Sequence, residues 1–215
     1  HDALPILTTI IQDQNYTLWV GTQDGLNKFD GKTFQNIEMD SDPGLLSQDI
    51  ACSEASDDGK VWFGTTKGLT LYDPQIGGFE TYNPTNKIIN IRSISKDDKG
   101  NIWVASLNSG ILLFDVKNKK FISYLNVIKT SQTHQISYVN KNTVLIYVEP
   151  FYNRSSFLEF NPITKKIRTI YLTPKTQKKV TINKFLKLSN NKILLATNQG
   201  VYWYNPKINL SKGYF

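Results

Sequence analysis

A short pattern recurs five times along the 215 residues, and a fixed repeat restricts the fold more than any compositional statistic does. The clearest copy is Val61-Trp62-Phe63-Gly64-Thr65 followed by Gly68-Leu69-Thr70-Leu71-Tyr72-Asp73. Upstream it reads Leu18-Trp19-Val20-Gly21-Thr22, then Gly25-Leu26-Asn27-Lys28-Phe29-Asp30. Downstream it reads Ile102-Trp103-Val104-Ala105-Ser106, then Gly110-Ile111-Leu112-Leu113-Phe114-Asp115. A fourth, degraded copy is Val144-Leu145-Ile146 with Phe157 to Asn161, and a fifth runs from Ile193 through Gly200 to Asn205. Trp19, Trp62 and Trp103 are 43 and 41 residues apart, and Leu145 and Leu194 take the same slot at intervals of 42 and 49.

Each unit divides into four short runs rich in Ile, Val, Thr, Tyr and Phe and bounded by Gly, Asp or Asn, which are strand signals. No window carries a sustained helical period with caps. Four strands in about 40–50 residues describe a blade of a β-propeller. The sequence therefore predicts an all-β chain of about five four-stranded antiparallel blades, with approximate limits 1–47, 48–88, 89–135, 136–180 and 181–215. Within a blade, Trp19, Trp62 and Trp103 are expected to pack on the neighbouring sheet. Gly21 and Gly64 suit close approach between sheets. Gly25, Gly68, Gly110 and Gly200 open the third strand where a turn demands positive φ. Asp30, Asp73 and Asp115 close it by accepting turn amides.

The run Ile-x-x-Ile-x-x-Asp-x-x-Gly-x-Ile-Trp-Val-Ala-Ser, then Gly-Ile-x-x-Phe-Asp, between Ile91 and Asp115 resembles the two-component regulator propeller repeat. Leu7 to Asp30 and Ile50 to Asp73 follow it closely, and the last two copies only loosely. The resemblance implies the periplasmic sensor region of a hybrid histidine kinase of Bacteroidetes, with the membrane segment and kinase outside these residues. It further implies an oligosaccharide ligand and a paired sensor. Propellers of this kind resemble seven-bladed discs, so the expectation is an incomplete piece of such a disc. The last copy lacks an evident fourth strand. A self-closed five-bladed disc is the alternative, and it would need the residues before Leu7 to complete the last blade. An open arc would leave an apolar face and strand edges exposed, so association with another copy is expected.

Charge is split along the chain. Residues 1–115 hold 16 acids and 8 bases, whereas residues 116–215 hold 2 acids and 17 bases. The bland reading is solvated turns; the sharper one is an acidic partner, either an anionic polysaccharide or the acidic half of another copy. Nucleic acid is not expected, because the lysines lack interleaved aromatic platforms. No apolar run approaches 18 residues, so no direct membrane insertion is expected. The single cysteine, Cys52, reads as a core residue and cannot form an intrachain disulfide.

Catalytic residues are sparse. Asp57-Asp58 and Asp97-Asp98 are paired carboxylates, but their recurrence at one repeat position marks hairpin turns. No metal-ligand spacing or nucleophile–base set is present, so neither cofactor nor enzymatic activity is expected of this segment. Binding is the expected task. Arg92 stands near the start of an innermost strand where Thr8, Ala51, Ser137 and Asn183 are taken as counterparts. His134 is assigned to the linker between the third and fourth blades. The insertion Glu149 to Ser156 offers Tyr152 for stacking on a sugar face and Arg154 for gripping a carboxylate or sulfate. With Asn108, Tyr138 and Gln199, these form the candidate ligand-binding set. A scaffold propeller that binds only proteins is the main alternative, and a polysaccharide or streptogramin lyase-like propeller the remoter one.

Overall fold

A computed structural model describes residues 6–37, 44–124, 133–148, 156–172, 180–188, 192–206 and, for the backbone, 210–214. Short runs rich in β-branched and aromatic residues, several of them largely apolar and buried, produce twenty strands and no helix among the described residues. The first sheet comprises β1 (Leu7–Gln12), β2 (Leu18–Thr22), β3 (Gly25–Phe29) and β4 (Phe34–Ile37). The second holds β5 (Ile50–Ala55), β6 (Val61–Thr65), β7 (Gly68–Asp73) and β8 (Gly78–Tyr82). The third holds β9 (Ile91–Lys96), β10 (Ile102–Ser106), β11 (Gly110–Asp115) and β12 (Lys120–Ser123). The fourth holds β13 (Thr133–Asn140), β14 (Thr143–Val148), β15 (Ser156–Phe160) and β16 (Ile167–Tyr171). The fifth holds β17 (Ile182–Lys187), β18 (Ile193–Thr197), β19 (Gly200–Asn205) and β20 (Leu210–Tyr214). Every sheet is an antiparallel meander in sequence order, and the five stand side by side as blades of a propeller. The fifth blade thus has the fourth strand that its sequence did not announce, and the fourth begins at Thr133, ahead of the limit drawn from the repeat.

The repeat residues perform the packing expected of them. Each tryptophan projects onto the following blade: Trp19 meets Phe63 and Tyr72, Trp62 meets Phe114, and Trp103 meets Phe160. All three indoles are at most 2% exposed. We call this the front of a blade; its back presents the aromatic and aliphatic side chains that receive the preceding tryptophan. Gly64 matters because a Cβ there would meet the Cys52 side chain and come within 2.5 Å of Ile91 Cγ2 on the next blade. A Cβ on Gly21 would likewise come within 2.7 Å of Ile50 Cγ2. At these two positions a side chain would collide with the inner strand of the next blade.

Turns are fixed by short acceptors. Gly25, Gly68, Gly110 and Gly200 have φ of +147°, +134°, +68° and +102°. Asp30 Oδ1 accepts the amides of Lys32 and Thr33, Asp73 Oδ1 that of Gln75, and Asp115 Oδ1 that of Asn118. Neighbouring inner strands share no ladder, so hydroxyls tie them instead. Thr8 Oγ1 donates to Ile50 O at 2.5 Å, and Ser93 Oγ accepts the amide of Ile136 at 3.2 Å. The charge split is also partly satisfied within the chain: Lys119 Nζ lies 3.1 Å from Glu80 Oε1. No helix among the described residues is long and apolar enough to cross a membrane.

Candidate functional site

All five innermost strands carry a β-bulge at the same place. The ladder skips Thr8 in β1, Ala51 in β5, Arg92 in β9, His134 in β13 and Asn183 in β17. A bulged residue leaves the pairing of its strand and re-aims its side chain. Here all five side chains turn to one end of the propeller axis, where they line a single cavity of about 420 Å³. None of the five is buried.

Recurring backbone bonds set the rest of this rim. The first residue of the turn after each second strand donates to the residue just before the inner strand: Thr66 N to Asp49 O, Leu107 N to Asn90 O, and Asn198 N to Thr181 O. Gln23 N likewise donates to Ile6 O at 3.2 Å. These bonds hold Gln23, Asp49 and Thr181 at the mouth beside Gln135 and Tyr147. The lining is therefore two primary amides, Gln23 and Gln135, a third from Asn183, two hydroxyls, one imidazole, one carboxylate, one phenol and one guanidinium. Arg92 lines the cavity, and its guanidinium has no hydrogen bond or ion pair among the described residues. His134 packs near Tyr147, ring centres 6.3 Å apart. Such a lining can bind a polyhydroxylated molecule through paired donors and acceptors and can grip a planar anionic group with Arg92.

Of the residues expected from sequence, Arg92 stands in this mouth. Ser137 is not its counterpart in the fourth blade: the register puts Ser137 opposite Leu145, and His134 occupies the bulge within β13 rather than a linker. Tyr138 lies at the opposite end of the axis, buried, its hydroxyl donating to Asp98 Oδ2 at 2.8 Å. There it lines a second cavity of about 670 Å³ with Glu54, Asp57, Lys96, Asp98, Lys184 and Lys187. Asn108 is engaged locally: its Oδ1 accepts the amide of Asn90 and its Nδ2 donates to Ile88 O. Gln199 sits in the turn between β18 and β19, outside the cavity lining. Tyr152 and Arg154 fall outside the described residues.

His134 was hidden because its blade lacks the tryptophan that anchors the others. The signal was nevertheless there: Thr8, Ala51, Arg92, His134 and Asn183 each precede the tryptophan slot by 11 residues. At the second mouth, burial raises the pKa of the Glu54 carboxyl, opposed by Lys96 and Lys184. Burial also pushes the Cys52 thiol up to about 12. Asp57 and Asp97 belong to hairpin turns, as their recurrence predicted: Gly59 N donates to Ser56 O, and Gly100 N to Asp97 O. Among the described residues, no three His, Cys, Asp or Glu side chains form a metal-binding group.

No protein-family model matches the sequence, and no curated protein matches it. Similarity appears in the solved structures. The extracellular domain of the hybrid two-component system BT3049 from B. thetaiotaomicron superposes with a TM-score of 0.78 at 20% identity over 96% of this chain. The corresponding domain of BT4673 gives 0.77 at 17% identity over 97% of this chain. The chain spans 29% and 27% of the lengths of those two domains. Virginiamycin B lyase from Staphylococcus aureus, solved with quinupristin, gives 0.76 at 13% identity, covering 98% of this chain and 70% of the lyase. Identities this low establish shared fold. The similarity of the coordinates agrees with the resemblance carried by the repeats: the chain folds as five β-propeller blades that superpose on part of these extracellular domains.

Proposed function

We propose that the chain is a ligand-binding part of the periplasmic sensor region of a hybrid two-component system, and that its ligand is an oligosaccharide held at the bulge-lined mouth. The observation that carries this reading is the bulge at one position in every inner strand, which brings Thr8, Ala51, Arg92, His134 and Asn183 into one cavity. Amides and hydroxyls suit the alternating donors and acceptors of sugar rings, and the unspent Arg92 favours a uronate or sulfated sugar over a neutral one. Similarity of fold to sensor domains supports the signalling context.

Signalling then requires the ligand to prefer one arrangement of the paired sensor. A tenfold preference supplies about 1.4 kcal/mol to that equilibrium. The test is calorimetric titration of the 215-residue chain with neutral and acidic oligosaccharides, repeated on Arg92→Ala and His134→Ala. Acidic oligosaccharides are expected to bind the parent chain, with at least about tenfold weakening in Arg92→Ala, the loss of one charged hydrogen-bonding partner. Unchanged affinity in both variants would remove the mouth as the site.

A further inference from the structure

At the far mouth a carboxylate stands where its repeat equivalents carry hydroxyls. Glu54, Ser95 and Ser137 pair with Trp62, Trp103 and Leu145 on the second strands of the three interior blades. Each of these blades has a neighbour on both sides, and all three residues line the cavity of about 670 Å³. Two of the three lack a side-chain partner. Ser137 is only 7% exposed, yet its hydroxyl has no hydrogen bond among the described residues. Glu54 draws on the backbone amide of Lys96 but makes no ion pair among the described residues, although burial disfavours its charge. The Lys96 ammonium is engaged elsewhere, 2.5 Å from Asp57 Oδ1.

Across the axis an ammonium is in the same condition. The charge of Lys184 acts on both Glu54 and Cys52, so it is turned towards the axis, but it forms no ion pair among the described residues. Glu54 and Lys184 are therefore near enough to feel each other and too far apart to meet. Lys187 of the same strand lies over the Tyr138 ring, 5.7 Å from its centre. Ile94, Ile136 and Phe185 make parts of the cavity wall apolar.

We propose that the far mouth binds a small zwitterion, an amino acid or short peptide, with its ammonium on Glu54 and the Ser137 hydroxyl and its carboxylate on Lys184 and Lys187. A lone anion would meet Glu54, and a lone cation would meet the two lysines, so each is disfavoured by one half of the site. A ligand carrying both charges completes both halves, and the partly apolar wall strengthens the pairing. The site lies at the other end of the axis from the bulge-lined mouth, so the inference stands apart from the oligosaccharide reading.

The test is a backbone amide NMR titration of the 215-residue chain with leucine and with leucyl-leucine. The controls are N-acetyl-leucine, which lacks the ammonium, and leucinamide, which lacks the carboxylate. Shifts are expected at Glu54, Lys96, Ser137 and Lys184, with Arg92 and His134 unmoved. Each blocked analogue should bind at least about tenfold more weakly than leucine, the loss of one charged partner. Glu54→Gln keeps the side-chain shape and should weaken both zwitterions by a similar factor, whereas Ser137→Ala should weaken them by about three- to tenfold. No binding of either zwitterion, N-acetyl-leucine binding as tightly as leucine, shifts centred on Arg92 and His134, or unchanged affinity in Glu54→Gln would overturn the inference.

Discussion

Two tryptophans in equivalent slots differ in one physical respect, and a matched pair of substitutions isolates it. Trp19 Nε1 donates to Asp13 Oδ2 at 3.0 Å in a buried setting, whereas the Trp103 indole N–H is buried with no acceptor among the described residues. Replacing either by Phe removes the same ring volume from a tryptophan–aromatic wedge, so the packing losses are similar. Trp19→Phe additionally forfeits a hydrogen bond to a charged acceptor, about 1.5–3 kcal/mol. Asp13 keeps the amides of Asn15 and Thr17, which favours the low end. Trp103→Phe instead removes an unpaired buried donor and relieves a desolvation penalty of about 1–3 kcal/mol. Trp19→Phe should therefore be the more destabilising by at least about 2 kcal/mol, which at this chain length corresponds to a melting temperature lower by at least about 4 °C. Urea denaturation and calorimetry read the difference directly. In a cycle with Asp13→Ala, the coupling energy should appear with Trp19 and not with Trp103. Equal stabilities, or a less stable Trp103→Phe, would refute the reasoning.

Other outcomes follow from the same geometry. Gly64→Ala should destabilise by about 1–3 kcal/mol through overpacking against Cys52 and Ile91, measured as a lower urea midpoint with unchanged slope. Glu54 has a raised pKa in the folded state, so the fold binds its proton more readily than the unfolded chain does. Its favourable contribution is present below the ordinary glutamate value of 4.5 and is lost as pH rises through the folded value. Glu54→Gln should accordingly raise the melting temperature at neutral pH relative to the parent, with the gain shrinking as pH falls towards 4.5. Cys52, with its thiol pushed up to about 12, should resist a thiol reagent in the folded chain and react fully in denaturant. Arg92→Ala should leave the unfolding free energy within about 0.5 kcal/mol of the parent, read by urea denaturation, because the guanidinium makes no hydrogen bond or ion pair among the described residues.

The fold was legible because the repeat is written in residues with one physical solution each. Trp62, Gly64, Gly68 and Asp73 announce a wedge, a close approach, a positive-φ turn and its acceptor, and the structure places them so. Where those residues fade, the reading faded. The fifth blade's last strand, Leu210–Tyr214, carries no aromatic at the slot filled by Phe34, Phe79 and Phe121, and it went unannounced. The mouth was half legible. Arg92 stood out because a charge replaced small residues, but His134 sat in a blade whose tryptophan had become Leu145, and a shift of register exchanged it for Ser137. A one-residue slip reverses every side chain in a strand, and a bulge adds such a slip without marking it in composition. Tyr138 shows the consequence. It lies on the same strand as His134 yet at the opposite end of the axis, satisfied by Asp98 and overlain by Lys187.

The most direct measurement of the central claim is a backbone amide NMR titration of the 215-residue chain with an acidic oligosaccharide. Shift changes should centre on the bulged positions Ala51, Arg92, His134 and Asn183 and on Gln23 and Thr181 beside them, while Lys96, Tyr138 and Lys187 at the far mouth stay put. Changes centred on the far mouth or on the outer strands would contradict the account.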